Sequence, residues 1–370
     1  MMYELIATAT FGLESIVAKE LKKLGYDNLK VENARITFEG DEYDIALCNM
    51  WLRCADRVLI KMAEFKAESF EELYQGTLNV NWGDIIPENG FMHVVGKSVK
   101  SKLHSVPDCQ SIVKKAVVES MKKKYEKDWF QEDGPEYKIE VAILKDVVTL
   151  TLDTTGQGLH KRGYRKRAGD APMKETLAAA MVYLSNWNNE KILIDPCCGS
   201  GTIAIEAALI GKNIAPGINR NFVSESWPQI PKEIWDETRE FARNRINDDE
   251  IKLMATDINR GVLKLARENA KSAGVAEYIH FQEIPIQEFL CKKKYVTLIS
   301  NPPYGERIGE KEEIEDIYKT LGKLYRENDT WSLYIITSNE QFQRNFGRKA
   351  DKNRKLYNGR LQCYYYQYIR

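Results

Sequence analysis

No run of roughly 18 consecutive apolar residues occurs in the sequence, so no membrane-spanning helix is expected. Met1 to Thr10 lacks a basic segment followed by an apolar core and a small-residue cleavage site, so no export signal is expected either. Histidine is scarce, at four in 370 residues. The seven cysteines are odd in number and show no metal-ligand spacing. A disulfide framework and a Cys/His metal centre are therefore disfavoured, and a reduced, cytoplasmic setting is expected. Excess charge is also absent, because 54 basic residues balance 54 acidic ones. The bulk basic signature of many nucleic-acid binders is thus missing. Internal repeats and low-complexity tracts are missing too.

What is present suits a soluble protein of two or three domains, with 43% hydrophobic and 29% charged residues. The balanced charge is unevenly spread. Lys97–Lys127 holds nine lysines against three acids. Lys161–Arg167 holds five basic residues and no acid, and Arg344–Arg370 holds eight against one. Local patches of this kind can carry phosphate-dependent binding in a neutral chain.

Three regions separate by pattern. The first, about 1–65, alternates strands with helices as a small α+β unit: strand at Tyr3–Ala9, helix at Leu13–Leu24, strand at Val31–Phe38 broken near Asn33, helix at Asp41–Met50, strand at Arg57–Phe65. The second, about 66–160, has a strand at Phe91–Gly96, a long basic helix from Asp108, and two strands joined at Lys145-Asp146 by a tight turn. A glycine-bearing loop from Thr154 to Ala171 reads as an interdomain linker. The third, 161–370, repeats strand then helix, which predicts a parallel, doubly wound α/β sheet with an antiparallel strand from the tail, Arg360–Ile369.

Two motifs in this third region carry chemistry. Asp195-Pro196-Cys197-Cys198-Gly199-Ser200-Gly201-Thr202 follows a short apolar strand and opens a helix. Gly199 and Gly201 permit a tight turn and close approach of backbone to a ligand. The third glycine of a dinucleotide fingerprint is replaced by Ala204, and the Gly-Lys-Ser/Thr of a P-loop is absent, so neither a pyrophosphate nor a nucleoside triphosphate is the natural ligand. Asp257, at the end of the next strand and followed by Ile258, is placed to hold ribose hydroxyls. The second motif, Asn301-Pro302-Pro303-Tyr304-Gly305, ends another strand. The prolines make it rigid. The Asn301 side-chain oxygen and the Pro302 carbonyl can accept the two N–H groups of an exocyclic amine, and Tyr304 can stack on an extruded base. Cys197 and Cys198 are expected as ordinary loop or buried residues rather than nucleophiles.

These residues are familiar. Asp195–Thr202 resembles the cofactor motif of class I methyltransferases, and Asn301–Tyr304 resembles the catalytic motif of amino-group methyltransferases. Gly96-Lys97 with Ser101–Ser105 and the helix after them are similar to the THUMP RNA-binding domain. Leu159-His160-Lys161-Arg162-Gly163-Tyr164-Arg165 resembles the linker of bacterial large-subunit ribosomal RNA guanine-N2 methyltransferases, often labelled N6-adenine-specific DNA methylases. The resemblance covers essentially the whole chain. It implies a Rossmann-like class I methyltransferase domain preceded by ferredoxin-like and THUMP domains. It implies S-adenosylmethionine as cofactor, held by Asp195, Pro196, Cys197, Gly199, Ser200, Gly201, Thr202, Asp257, Ile258 and Asn301. Ala171–Leu177 would cover the methionine end, with Thr176 a weaker candidate. One departure is the lack of an aspartate after the third strand, where Glu283 or a backbone amide is expected to meet the adenine. RNA is the implied partner, with Lys97, Lys100, Lys102, His104, Lys114, Lys115, Lys161, Arg162 and Arg165 as contacts. Transfer RNA guanine-N2 and DNA adenine-N6 methylation stay open, as does a non-catalytic RNA-binding role. The segment Asn213–Glu250 is a long insertion whose role the sequence does not declare.

Overall fold

The computed structural model describes residues 1–165, 173–304 and 311–370. The first half runs β1 (Tyr3–Ala9), α1 (Glu14–Lys23), β2 (Lys30–Glu32), β3 (Arg35–Gly40), α2 (Glu42–Trp51) and β4 (Ala55–Lys66). It continues with α3 (Phe70–Leu78), β5 (Phe91–Val99), α4 (Val106–Tyr125), β6 (Glu136–Leu144) and β7 (Val147–Asp153). Local chemistry sets these limits. Asp41 and Asp44 form a reciprocal cap that starts α2, and Ser69 with Glu72 does the same for α3. Helix α4 has Pro107 in its first turn and Lys122, Lys123 and Lys124 in its last, each at the end its chemistry favours. Lys145 and Asp146 take φ of 51° and 64°, the left-handed pair that a two-residue hairpin needs.

The seven strands form one sheet in the order β2-β3-β1-β4-β7-β6-β5. The regions read as separate units are therefore stitched together, because β4 pairs antiparallel with β7 from Leu59–Asp153 to Lys66–Val147. Only β5 and β6 run parallel, with α4 packed across them.

The second half runs α5 (Glu175–Leu184), β8 (Ile192–Asp195), α6 (Thr202–Gly211), α7 (Lys232–Asn244), β9 (Lys252–Asp257), α8 (Arg260–Ser272), β10 (Ile279–Glu283) and β11 (Val296–Ser300). It ends with α9 (Lys311–Glu327), β12 (Ser332–Thr337), α10 (Phe342–Phe346), β13 (Lys352–Asn358) and β14 (Leu361–Tyr368). The sheet order is β10-β9-β8-β11-β12-β14-β13, parallel from β10 to β12. The chain moves outward from β8 to β10, then returns to place β11 on the other side of β8. That reversal creates a crevice at the carboxyl ends of β8 and β11, where ligands bind in open α/β sheets.

The tail is a hairpin rather than a single strand. β14 lies antiparallel to β12, as expected, and β13 pairs with β14. Tyr365 is fully buried and donates to the Met181 carbonyl at 2.8 Å, while Tyr366 stacks on Phe342.

The insertion braces the two sheets against each other. Trp227 is buried, stacks on Tyr137 of β6 at 4.5 Å between ring centroids, and donates from its indole to the Glu136 carbonyl at 2.9 Å. The Gly217 amide donates to Met50 O, and the Ser224 hydroxyl to Thr154 O. Helix α7 packs on α2.

Candidate active site

A cleft of about 1170 Å³ opens at the carboxyl ends of β8 and β11. The two sequence motifs meet there. Pro196, Cys197 and Gly199 enter from the loop after β8, Asp257 and Ile258 from the end of β9, and Asn301 to Tyr304 from the end of β11.

Hydrogen bonds tie these ends together. Asp195 is buried and accepts from the Ser300 hydroxyl at 2.8 Å, linking β8 to β11 just before both motifs. Burial pushes its carboxyl up to about 7. Asp257 accepts from the Gly199 amide at 2.9 Å and from the Asn259 amide at 2.9 Å. The glycine loop is thereby clamped to the end of β9. Gly199 has φ of 53° and nothing within 4 Å of where a Cβ would stand, so its face toward the cleft is open. Gly201 has φ of 82° and lies against Ala266 of α8, so it serves helix packing.

The tetrapeptide is held equally closely. The Tyr318 hydroxyl donates to the Pro303 carbonyl at 3.0 Å, and the Asn339 amide donates to the Tyr304 carbonyl at 3.3 Å. The Tyr304 hydroxyl donates to Asn301 Oδ1. Burial, followed by the neighbouring Cys363, raises the Tyr304 hydroxyl well above its ordinary range, so it stays a donor. Burial likewise raises the Cys197 and Cys198 thiols, which leaves neither poised as a nucleophile.

Several expected cofactor residues stand behind the cleft rather than in it. Asp195 supports the loop from below. Ser200, Gly201 and Thr202 turn into α6, where Asn269 donates to Ser200 O and Arg165 donates to the Thr202 hydroxyl at 2.7 Å. Thr176 is 1% exposed and does not reach the cleft, which Lys174 lines instead. Glu283 is also absent from the lining and faces Arg260 at 3.9 Å, while Ile286 and Gln287 take that side. The turn of the β13–β14 hairpin, Asn358 to Leu361, closes the far side. That wall is not legible in the sequence, because β13 carries few apolar residues. Ala171, Lys166, Arg167 and Gly305 lie outside the described residues.

The candidate RNA contacts divide. Arg162 cannot serve: its side chain is 2% exposed and pairs with Glu206, which is fully buried. It also donates to Leu159 O and Arg53 O, so it is a structural cation between the halves. Arg165 is mostly buried and engaged by Thr202 and Glu175. Much of the lysine patch on the first sheet is neutralised by acids distant in sequence. Lys97 meets Glu140, Lys102 meets Glu68, and Lys114 meets Glu132. Lys115 lies over the Tyr74 ring, and His104 bonds the Lys102 carbonyl. Lys100 and Lys161 are exposed, with no ion pair among the described residues.

The cleft suits an adenosine-type ligand. It pairs an open glycine backbone with a carboxylate at the strand end and with the exposed apolar side chain of Ile258, 70% accessible. Three family descriptions match the chain: RlmL ferredoxin-like domain over residues 4–59, THUMP domain over 67–153, and RMKL-like, methyltransferase domain over 162–367. YpsC of Bacillus subtilis (strain 168), provisionally named an RNA methyltransferase, is 51% identical over 369 residues, covering 99% of this chain and 96% of its own. The ribosomal RNA large subunit methyltransferase K/L of Syntrophotalea carbinolica is 34% identical over 96% of this chain, which spans only 52% of that longer protein. The crystal structure of SMU.472, a methyltransferase by its description and complexed with SAH, is 42% identical with a TM-score of 0.95, covering 100% of this chain and 98% of its own. More than half of the length matches one catalytic-domain description and a relative at 51% identity runs end to end, so the chain belongs to the RMKL-like methyltransferase family.

Proposed function

We propose that the chain transfers a methyl group from S-adenosylmethionine to the exocyclic N2 amino group of a guanine in large-subunit ribosomal RNA. The observation that carries this reading is the convergence of Asn301–Tyr304 with Gly199 and Asp257 in one cleft. The SAH-bound relative and the K/L relative support the cofactor and the substrate. The THUMP match supports RNA over DNA.

The roles of the residues follow from their chemistry. When bound, S-adenosylmethionine supplies a methyl group already activated on a sulfonium. Asp257 and the Gly199 backbone would hold its nucleoside end, with Ile258 offering apolar surface beside them. An exocyclic amine is a poor nucleophile because its lone pair is delocalised into the ring. Asn301 Oδ1 and the Pro302 carbonyl accept its two N–H groups and favour a more tetrahedral nitrogen. Tyr304 already uses one lone pair of Asn301 Oδ1, and an amide oxygen has a second. The ring of Tyr304 is adjacent and offers a stacking face for a flipped base. Catalysis is positioning and electrostatics, without a covalent enzyme intermediate.

The test incubates purified protein and labelled S-adenosylmethionine with ribosomal RNA, transfer RNA and duplex DNA from cells lacking the gene, followed by nucleoside digestion. Label in N2-methylguanosine from large-subunit RNA is expected. Label in N6-methyladenine from DNA, or in transfer RNA alone, overturns the substrate; no label in any pool overturns the activity.

A further inference from the structure

A second cavity, of about 850 Å³, lies between the first sheet and the linker. Its floor includes two parallel strands, where His93 of β5 stands opposite Lys138 of β6. Lys161 of the linker, Arg220 of the insertion and Glu175 at the start of α5 form other walls. The linker motif supplies Lys161, Arg162, Gly163 and Arg165 to this space, while the strands and the insertion supply walls that no motif announced.

Its volume falls in the range of ligand sites, but its lining is not that of an apolar small-molecule pocket. Lys138, Lys161 and Arg220 line it, with the buried Arg162 and the mostly buried Arg165 behind them, against two carboxylates, Glu136 and Glu175. Several of these cations are already engaged. Lys138 lies 3.5 Å from Asp153, and Arg220 donates to the Gly158 and Lys161 carbonyls at 2.8 Å. The Lys161 ammonium and the His93 ring have no hydrogen-bond or ion-pair partner among the described residues. On the same wall, Arg165 Nε and Glu175 Oε2 have no hydrogen-bond partner among the described residues. The local field is positive. Burial, then Arg162 and Arg57, lowers the Arg220 guanidinium to about 10, and burial, then Lys174, Lys161 and Arg162, lowers His160 to about 4. Such a cavity takes an anion.

Position narrows the choice of anion. Lys174 lines the catalytic cleft and Glu175, the next residue, lines this cavity. The Cα atoms of residues lining the two spaces are therefore one backbone step, about 3.8 Å, apart. A nucleic-acid chain with one base extruded into the cleft carries its flanking phosphates into this neighbourhood. We propose that the cavity seats the phosphate backbone of RNA beside the nucleotide being methylated, with Lys161 and His93 as the free contacts. Arg220 shapes the linker that presents Lys161. This inference rests on the RNA reading above.

Filter binding of full-length protein to unmodified, in vitro transcribed large-subunit ribosomal RNA tests it. The double variant Lys161→Ala, His93→Ala is expected to weaken binding about tenfold at about 0.1 M salt and to flatten the log–log salt slope by about 0.7–0.9. Its affinity for SAH should not change. Glu136→Gln removes an exposed carboxylate from the lining and is expected to tighten RNA binding about twofold, a gain that misfolding cannot imitate. Wild-type affinity and slope in both variants, with the parent protein binding and methylating this RNA, overturn the cavity assignment alone. A parent protein that neither binds nor methylates the RNA overturns both readings.

Discussion

At the scale of single residues, Asn301 and Asp195 differ in what they should cost when changed. Asn301 lines the cleft at the end of β11, its Oδ1 accepts from the Tyr304 hydroxyl, and the proposed role gives that oxygen a second bond from the substrate amine. Asn301→Ala is expected to lower kcat at least about a hundredfold, the range for losing one aligned polar group at a reacting centre. SAH affinity by calorimetry should stay within about threefold, since the glycine loop and Asp257 remain. Loss of SAH binding in that variant would contradict the assigned role. Asp195 works from behind. Burial raises its carboxyl from 3.8 to about 7 against the opposing bonds from Ser300 and Cys197. The folded-state value lies above the unfolded one, so folding favours the protonated form. This contribution is complete below about pH 4 and is lost as pH rises through about 7. Stability should therefore fall by roughly 3 kcal/mol between about pH 5 and pH 8 through this group. Asp195→Asn, which cannot ionise, should flatten that part of the profile. Urea midpoints at the two pH values decide it, and an equal slope in parent and variant rules it out.

At the scale of elements, the glycine loop separates ligand binding from packing within three residues. Gly199→Ala places a methyl in open space on the cleft side at φ of 53°, so it should reduce SAH affinity about tenfold or more with a stability loss of only about 1 kcal/mol. Gly201→Ala instead puts a Cβ 3.1 Å from the Ala266 Cβ at φ of 82°. It should cost about 2–4 kcal/mol by overpacking and strain, visible as a lower melting temperature. Equal effects on melting and on affinity in the two variants would refute the division. This loop was legible in the sequence because a strand, a glycine turn and a helix are consecutive, and local pattern carries all three. The Asn301 motif was legible for the same reason. Strand β13 was not, since Lys352–Asn358 buries only Leu356 and owes its conformation to pairing with β14. The acids that meet the lysine patch, Glu68, Glu132 and Glu140, lie outside the run, so the run read alone could not show these pairings. Arg162 misled most, since a basic run read alone looks like a solvated or RNA-facing surface.

At the scale of the whole molecule, Arg162 shows how substrate-binding and catalytic halves become one body. Its guanidinium faces Glu206 of α6 at 3.3 Å while donating to the Arg53 carbonyl in the first half and to Leu159 in the linker. Tyr164 donates to the same Glu206 at 3.2 Å. With the Trp227–Tyr137 stack, this cluster holds the first sheet at a set distance from the cleft. Under the proposed function such rigidity would matter, because extruding a target base into the cleft costs a few kcal/mol that RNA contacts elsewhere on the protein would have to offset. A buried ion pair adds little stability over apolar packing, but losing one partner leaves the other charge uncompensated. Glu206→Gln keeps the volume and removes the charge opposite Arg162. It is expected to destabilise the protein by about 3–5 kcal/mol. It should also convert a single denaturant transition, followed by tryptophan fluorescence and far-ultraviolet circular dichroism, into two separated ones as the halves uncouple. A Glu206→Gln, Arg162→Met double variant should recover much of that loss, since no charge is then stranded. If the single variant melts in one step at the parent's midpoint, the Arg162 cluster does not couple the halves.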